Sequence, residues 1–271
     1  MKYCILGSEG QIGSTLKEVL KKEGHTVLEI DLVLGKGHDL RHDPEGLVER
    51  SIYDADFVFF LAFDVGGSHY LQKHQHTFEF LHNNIQMMSK TFGYLKKYNK
   101  PFIFTSSQMA NMSYSPYGLA KSIGELYTKA LNGLIVHFWN VYGVEKDLNK
   151  SHVITDFINQ AKQGRIWMKT DGTEQRQFLF AEDACYALLT LAEKYDSVPR
   201  DEQLHITSFE WRSILDIAEL IAYYIPAEVI PASAKDTVQQ DKRNEPDDSI
   251  LKYWQPVTRL PEGIQKIIAT T

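Results

Sequence analysis

Cysteine is scarce in this chain. Its 271 residues include only Cys4 and Cys185. Each sits in an apolar run and reads as core, which excludes a disulfide framework and points to a reducing compartment. Basic residues are not in excess: 29 Lys and Arg stand against 35 Asp and Glu, for a net charge of −6. That balance argues against bulk binding to nucleic acid or an anionic membrane, each of which needs a basic face. A small anionic ligand needs only a local site and stays open. No run is long and apolar enough to span a bilayer. The opening "MKYCILG" enters a strand directly, with no signal-peptide pattern. A cytoplasmic protein is expected. Repeats and low-complexity segments are also missing. His69, His74, His76 and His82 cluster, but His74 and His76 point to different helix faces, so no metal site is assigned.

The residues present have the apolar and charged balance of a globular protein, and the length allows a large core in two unequal lobes. Short runs apolar on both faces predict strands at Tyr3–Leu6, Thr26–Ile30, Phe57–Leu61, Phe102–Thr105 and Leu134–Trp139. Helical patterns lie between them at Ile12–Glu23, Glu45–Ser51, Thr77–Tyr98 and Tyr117–Leu131. This alternation predicts an α/β fold, a parallel sheet with helices on both sides. After Asn140 the pattern loosens. Helices are expected at Val153–Gln163, Glu182–Glu193, Ile214–Tyr224 and Leu260–Ile268, with strands at Arg165–Lys169, Gln177–Phe180 and Gln203–Thr207. The polar stretch "SAKDTVQQDKRNEPDD" reads as loop. We expect a dinucleotide-binding unit over 1–145, with return segments near 177–207, and a smaller substrate lobe over 146–271.

"YCILGSEGQIGSTL" places Gly7, Gly10 and Gly13 after a strand and at a helix start. There, free N–H groups and the helix dipole attract phosphate. Gly7 permits the turn, Gly10 lets a pyrophosphate approach the backbone, and Gly13 allows close packing. A plain strand–helix turn is the alternative. Asp31 follows at the end of the next strand, eighteen residues after Gly13. A carboxylate there accepts from both ribose hydroxyls and repels a 2′-phosphate, favouring NAD over NADP; it can also serve only as a turn former. Asp39, with the Leu40 backbone, is a weaker candidate for the adenine amino group.

"SPYGLAKSIGE" carries Tyr117 and Lys121 one helical turn apart. A lysine ammonium at that spacing would lower the phenol's pKa and make it a usable base. Ser107, at the end of the fourth predicted strand, would orient the reacting hydroxyl. Alone, Tyr-x-x-x-Lys is more often a surface pair; the glycine turn and Ser107 give it weight.

Taken together, these segments resemble the extended short-chain dehydrogenase/reductases of the nucleotide-sugar epimerase/dehydratase family. The resemblance spans nearly the whole chain in seven ordered segments. It implies a Rossmann-type doubly wound sheet, NAD as cofactor, a nucleotide-sugar substrate and a homodimer built on the two long helices. "GSEGQIG" resembles the cofactor turn, implying contacts from Gly7, Gly10, Gln11, Ile12 and Gly13. "FFLAFDVGG" resembles the third-strand segment, implying Leu61, Ala62 and Phe63. "NNIQMM" implies Asn84 at the cofactor. "NVYG" implies Asn140 at substrate phosphate and Val141 at the carboxamide. "GTEQRQFLFAEDAC" and "DKRNEPDDSILKYWQP" imply a diphosphate clamp of Arg176 and Arg243. Ser107, Tyr117 and Lys121 match the family's catalytic set.

Departures are equally specific. The Asp-Glu pair of the 4,6-dehydratases is replaced by Gln108 and Met109, so dehydration is not expected. Only nine residues separate Ser107 from Tyr117, which shortens one wall of the sugar site and would leave it open. "HFW" stands where an arginine is usual before "NVYG". The expected activity is epimerisation at a sugar carbon, C4 first. Net sugar oxidation, keto-sugar reduction and a non-catalytic dinucleotide-binding regulator are the alternatives.

Overall fold

A computed structural model describes residues 1–239 and 244–270. The strands of the main sheet are β1 (Lys2–Leu6), β2 (Thr26–Ile30), β3 (Phe57–Phe60), β4 (Phe102–Ser107), β5 (Leu134–Phe138) and β9 (Leu204–Ile206). Between β5 and β9 come β6 (Asn140–Tyr142), β7 (Arg165–Trp167) and β8 (Gln175–Phe180); β10 (Trp211–Ser213) and β11 (Glu228–Ile230) follow. The helices are α1 (Gln11–Lys22), α2 (Leu47–Asp54), α3 (Ser68–His74), α4 (Phe78–Tyr98), α5 (Pro116–Ala130), α6 (Val153–Ala161), α7 (Ala181–Glu193), α8 (Ile214–Tyr224) and α9 (Leu260–Thr270).

The main sheet has the order β2-β1-β3-β4-β5-β9, and every neighbouring pair is parallel. Successive strand residues face opposite sides. Tyr3, Ile5, Phe57 and Phe59 pack under α1 and α7, with Leu16, Leu20 and Leu188. Cys4, Leu6, Val58 and Phe60 pack on the other side against α2 and α4, with Ile52, Met88 and Phe92. Helices on both faces explain why these strands are continuously apolar. Both cysteines are buried and free. Strand order reverses between β1 and β3, and a ligand crevice opens beyond the carboxyl ends of strands at such a point.

The second half adds a three-stranded sheet, β10-β8-β6, and a two-stranded one, β11-β7. These share a separate core with α6, α8 and α9, including Phe157, Phe178, Ile217 and Ile264. Helix α8 starts on a capping box formed by Ser213 and Asp216. The short helix α3 and the three-residue strands β6, β10 and β11 went unread in the sequence. No helix among the described residues is long and apolar enough to cross a membrane.

Candidate active site

Beyond the strand ends lies a cavity of about 1130 Å³. One end is the glycine turn. Gly7 has φ +92°, a left-handed conformation, and an added Cβ would lie 2.8 Å from the Ala62 backbone N. A Cβ on Gly13 would lie 1.9 Å from the Gly7 carbonyl O, so helix and turn meet only without a side chain. Gly10 differs: its Cβ would find only the Gly7 carbonyl, at 3.5 Å, and the residue lines the cavity. No side chain caps the start of α1, and its first turn holds no acid. The buried Nε2 of Gln11 has no partner among the described residues. An open helix N-terminus, a bare backbone and an unpaired amide suit a dinucleotide pyrophosphate. The turn's own carboxylate, Glu9, is neutralised: hydrogen bonds from Lys146 and Lys17 hold its pKa down.

Asp31 lines the cavity at the end of β2. Its carboxylate accepts from the Glu9 N–H at 2.9 Å and the Val33 N–H at 3.2 Å. Asp39 and Leu40 also line it, but Asp39 does not present a spare carboxylate. Arg41 grips both oxygens, Nε at 2.9 Å and Nη2 at 2.8 Å. Leu61, Ala62, Phe63, Ile12 and Val141 are all on the wall. Asn84 is not. It is buried in α4, where its amide accepts from the Asp64 N–H at 2.8 Å and donates to the Asp64 and Phe80 carbonyls. The asparagine on the wall is its neighbour Asn83. Asn84 therefore shapes the loop after β3.

Ser107, Tyr117 and Lys121 converge at the carboxyl end of β4. Pro116 opens α5, and the Ser115 hydroxyl caps it by accepting from the Gly118 N–H at 3.1 Å, a contact worth about 1 kcal/mol. Lys121 is buried; its Nζ donates to the Thr105 carbonyl at 2.6 Å and lies 3.9 Å from the Phe63 ring centroid. The Tyr117 ring meets Phe63 edge-on at 5.6 Å. The expected lowering of the tyrosine pKa is absent from this arrangement. Burial pushes Tyr117 up to about 12, with Ser107 pulling the other way. Burial also brings Lys121 down to about 7, opposed by Glu125. A site shielded from water resists either charge alone, whatever the spacing of the two residues.

The other end of the cavity contains Asn140 and Arg176. Asn140 Nδ2 donates to the Gln177 carbonyl at 3.4 Å. Arg176 is buried and bonds Asp236 at 2.6 Å. Arg243 lies outside the described residues. Asp236 belongs to a strap, residues 234–239, that crosses this wall. Val238 of the strap packs with Met109, Met112 and Tyr117. Tyr114 Oη donates to the Gln239 carbonyl at 2.9 Å, and Gln108 bonds the Gln239 side chain. The short Ser107–Tyr117 connection thus does not leave that side open: the strap covers it. Asp64 and Lys150 also escaped the sequence reading. They pair at 3.0 Å on the cavity wall, beside the bond from Tyr70 to Asp64 at 2.6 Å. The Gly66–Gly67 pair was a usable signal, since a Cβ on Gly67 would lie 2.2 Å from the Ser151 carbonyl O. His69 lines the cavity, while His74 and His82 rest against Tyr70 and Phe78.

The parallel sheet, its reversal point and the bare helix start define a Rossmann-type nucleotide-binding protein. That class holds many activities, and sequence comparison narrows it. The chain belongs to the NAD dependent epimerase/dehydratase family, whose model matches residues 3–207. NAD is the cofactor of that family. Over 98% of this chain and 72% of the relative, it is 23% identical to UDP-glucuronic acid decarboxylase 1 of Danio rerio. The fold matches UDP-glucose 4-epimerase of Thermotoga maritima, solved with UDP-glucose, with a TM-score of 0.82 and 21% identity over 99% of this chain and 98% of that one. UDP-glucose 4-epimerase of Thermus thermophilus, solved with NAD, gives 0.79 and 18% over the same shares.

Proposed function

We propose that this protein epimerises a nucleotide-activated sugar, at C4, by transient oxidation and re-reduction. The observation that carries the reading is the meeting of Ser107, Tyr117 and Lys121 on the wall of one cavity that also includes the glycine turn and Arg176. Its volume exceeds the roughly 300–1,000 Å³ of a pocket for one drug-sized ligand, so cofactor and substrate can lie end to end. Gly7, Gly10, Gln11, Ile12 and Gly13 would hold the pyrophosphate, Asp31 the ribose hydroxyls, and Leu61, Ala62, Phe63 and Val141 the walls. NAD, when bound, supplies the hydride acceptor and donor. Ser107 orients the sugar hydroxyl. Tyr117 Oη takes that proton as the carbonyl forms and returns it on re-reduction. Lys121 offers the positive charge that stabilises the phenolate, an attraction strengthened by burial. Asn140, Arg176 and Arg243 are assigned to the substrate diphosphate, with Arg176 exchanging Asp236 for it.

Tyr117→Phe tests the mechanism. We expect turnover to fall by at least about a hundredfold with the circular dichroism spectrum unchanged; unchanged turnover would refute it. The assay is a panel of UDP-, GDP-, dTDP- and CDP-sugars after mass spectrometry of what co-purifies. An epimerase shows no lasting NADH absorbance, whereas a net dehydrogenase using the same tyrosine accumulates it. We also propose a homodimer through α4 and α5. Phe78, Leu81, Ile85, Leu119, Ile123 and Leu126 form an exposed apolar set there, while Met88 and Phe92 of α4 are core. Sedimentation equilibrium checks the mass.

A further inference from the structure

We propose that Glu125, itself held by Ser106 and His137, is a positioning residue for the charge of Lys121: it keeps that buried side chain in its ammonium form. Tyr117, Lys121 and Glu125 recur every four residues on α5, so they form one stripe. Lys121 and Glu125 grip successive residues of β4. Lys121 Nζ bonds the Thr105 carbonyl at 2.6 Å, and the Ser106 hydroxyl donates to Glu125 Oε1 at 2.5 Å. The same oxygen meets His137 Nε2 at 3.0 Å, and His137 is the β5 residue in register with Ser106.

The cluster continues towards the cavity wall. His137 stacks on His205 at 4.8 Å, and Trp139 Nε1 donates to His205 Nδ1 at 3.1 Å. Burial first, then the charge of His137, lowers His205 to about 4, so it accepts that bond as a neutral ring. Burial alone would raise the Glu125 carboxyl, but His137 and Ser106 hold it below its ordinary value. The carboxylate thus stays charged.

Lys121 has few polar neighbours. Its own helix presents Tyr117 and Glu125, β4 presents the Thr105 carbonyl, and Phe63 and Phe104 present ring faces at 3.9 and 5.1 Å. His137 and His205 reach it only through Glu125. Of these groups Glu125 alone carries a fixed negative charge, and it favours the ammonium that burial opposes. Glu125 is one turn from Lys121 and two from Tyr117, so its charge acts on the lysine more than on the tyrosine. The effect on turnover rests on the role proposed for Lys121. The effect on its protonation does not.

The test is a lysine side-chain NMR titration of the full chain with NAD, the Lys121 signal assigned from Lys121→Met. Glu125→Gln keeps an acceptor for Ser106 and His137 and removes only the charge. We expect its Lys121 midpoint to fall by about one pH unit, with Glu125→Asp between it and wild type. A midpoint unmoved in both variants overturns the proposal, and if Glu125→Gln does not fold, Glu125→Asp alone decides. Tyr117→Phe leaves this midpoint readable, so a failure of the proposed reaction is distinguished from a failure here.

Discussion

The three glycines of the first turn are alike in sequence and unlike in space, which makes alanine a discriminating probe. Gly10 has φ −66° and ψ 168°, open to any residue. Its Cβ would make only an ordinary contact, 3.5 Å from the Gly7 carbonyl. Gly10→Ala should therefore leave the fold intact or stabilise it by about 0.4–1 kcal/mol, through the unfolded chain. In the cavity the same methyl would occupy the space we assign to pyrophosphate, and we expect NAD affinity to fall at least tenfold, about 1.4 kcal/mol. Gly13→Ala should do the reverse in kind. Its Cβ would lie 1.9 Å from one backbone atom and 2.9 Å from another. Relief demands backbone movement, so the loss of stability is about 3 kcal/mol or more. Urea unfolding and calorimetric titration with NAD separate the two effects. Wild-type NAD affinity in a well-folded Gly10→Ala protein would refute the assignment of this turn.

Three further outcomes follow from the same geometry. Asn84→Ala should cost about 1–3 kcal/mol in urea unfolding, because it strands the Asp64 N–H; a change under about 0.5 kcal/mol would mean the amide is not structural. Asp236→Asn keeps the acceptor for the Val238 N–H and removes the ion pair at Arg176, so calorimetry should show UDP binding severalfold tighter, and weaker binding would move the anion site elsewhere. Lys121 titrates near 7 when folded against an ordinary 10.5. Between those values the unfolded chain holds the extra proton, so stability should rise with pH relative to Lys121→Met. A difference between the two proteins that stays flat from pH 7 to about 9.5 would show that the lysine is not buried as described.

How much was readable beforehand depended on the range of the physics involved. The main-sheet strands announce themselves because each is covered on both faces, and that leaves continuous apolar runs such as "FVFF". Helix α8 was bounded correctly because Ser213 and Asp216 close its first turn locally. Strands β6, β10 and β11 were not read, although β7 and β9, also of three residues, were. The resemblance picks Asn84 out of "NNIQMM", but adjacent positions on a helix show different faces, and it is Asn83 that reaches the cavity wall. Asp39 carries no mark in the sequence of its partner Arg41, which folds back on it in the structure. The shifts at Tyr117 and Lys121 were out of reach for another reason: spacing reports which groups are neighbours, and burial decides what a neighbour is worth.

The strap over Tyr117 bears on the order in which the site is assembled. Tyr114 and Gln239 are 125 residues apart, Gln108 and Gln239 are 131 apart, and Gln108 and Asn244 are 136 apart. The glycine turn closes a far shorter loop, with Gly7 bonding Ile30 at 2.7 Å. Long loops cost more entropy to close and close more slowly. During refolding, NAD binding should therefore return before turnover does. The protein would pass through a stage in which it can hold its cofactor while the chamber around Tyr117 still lacks a side.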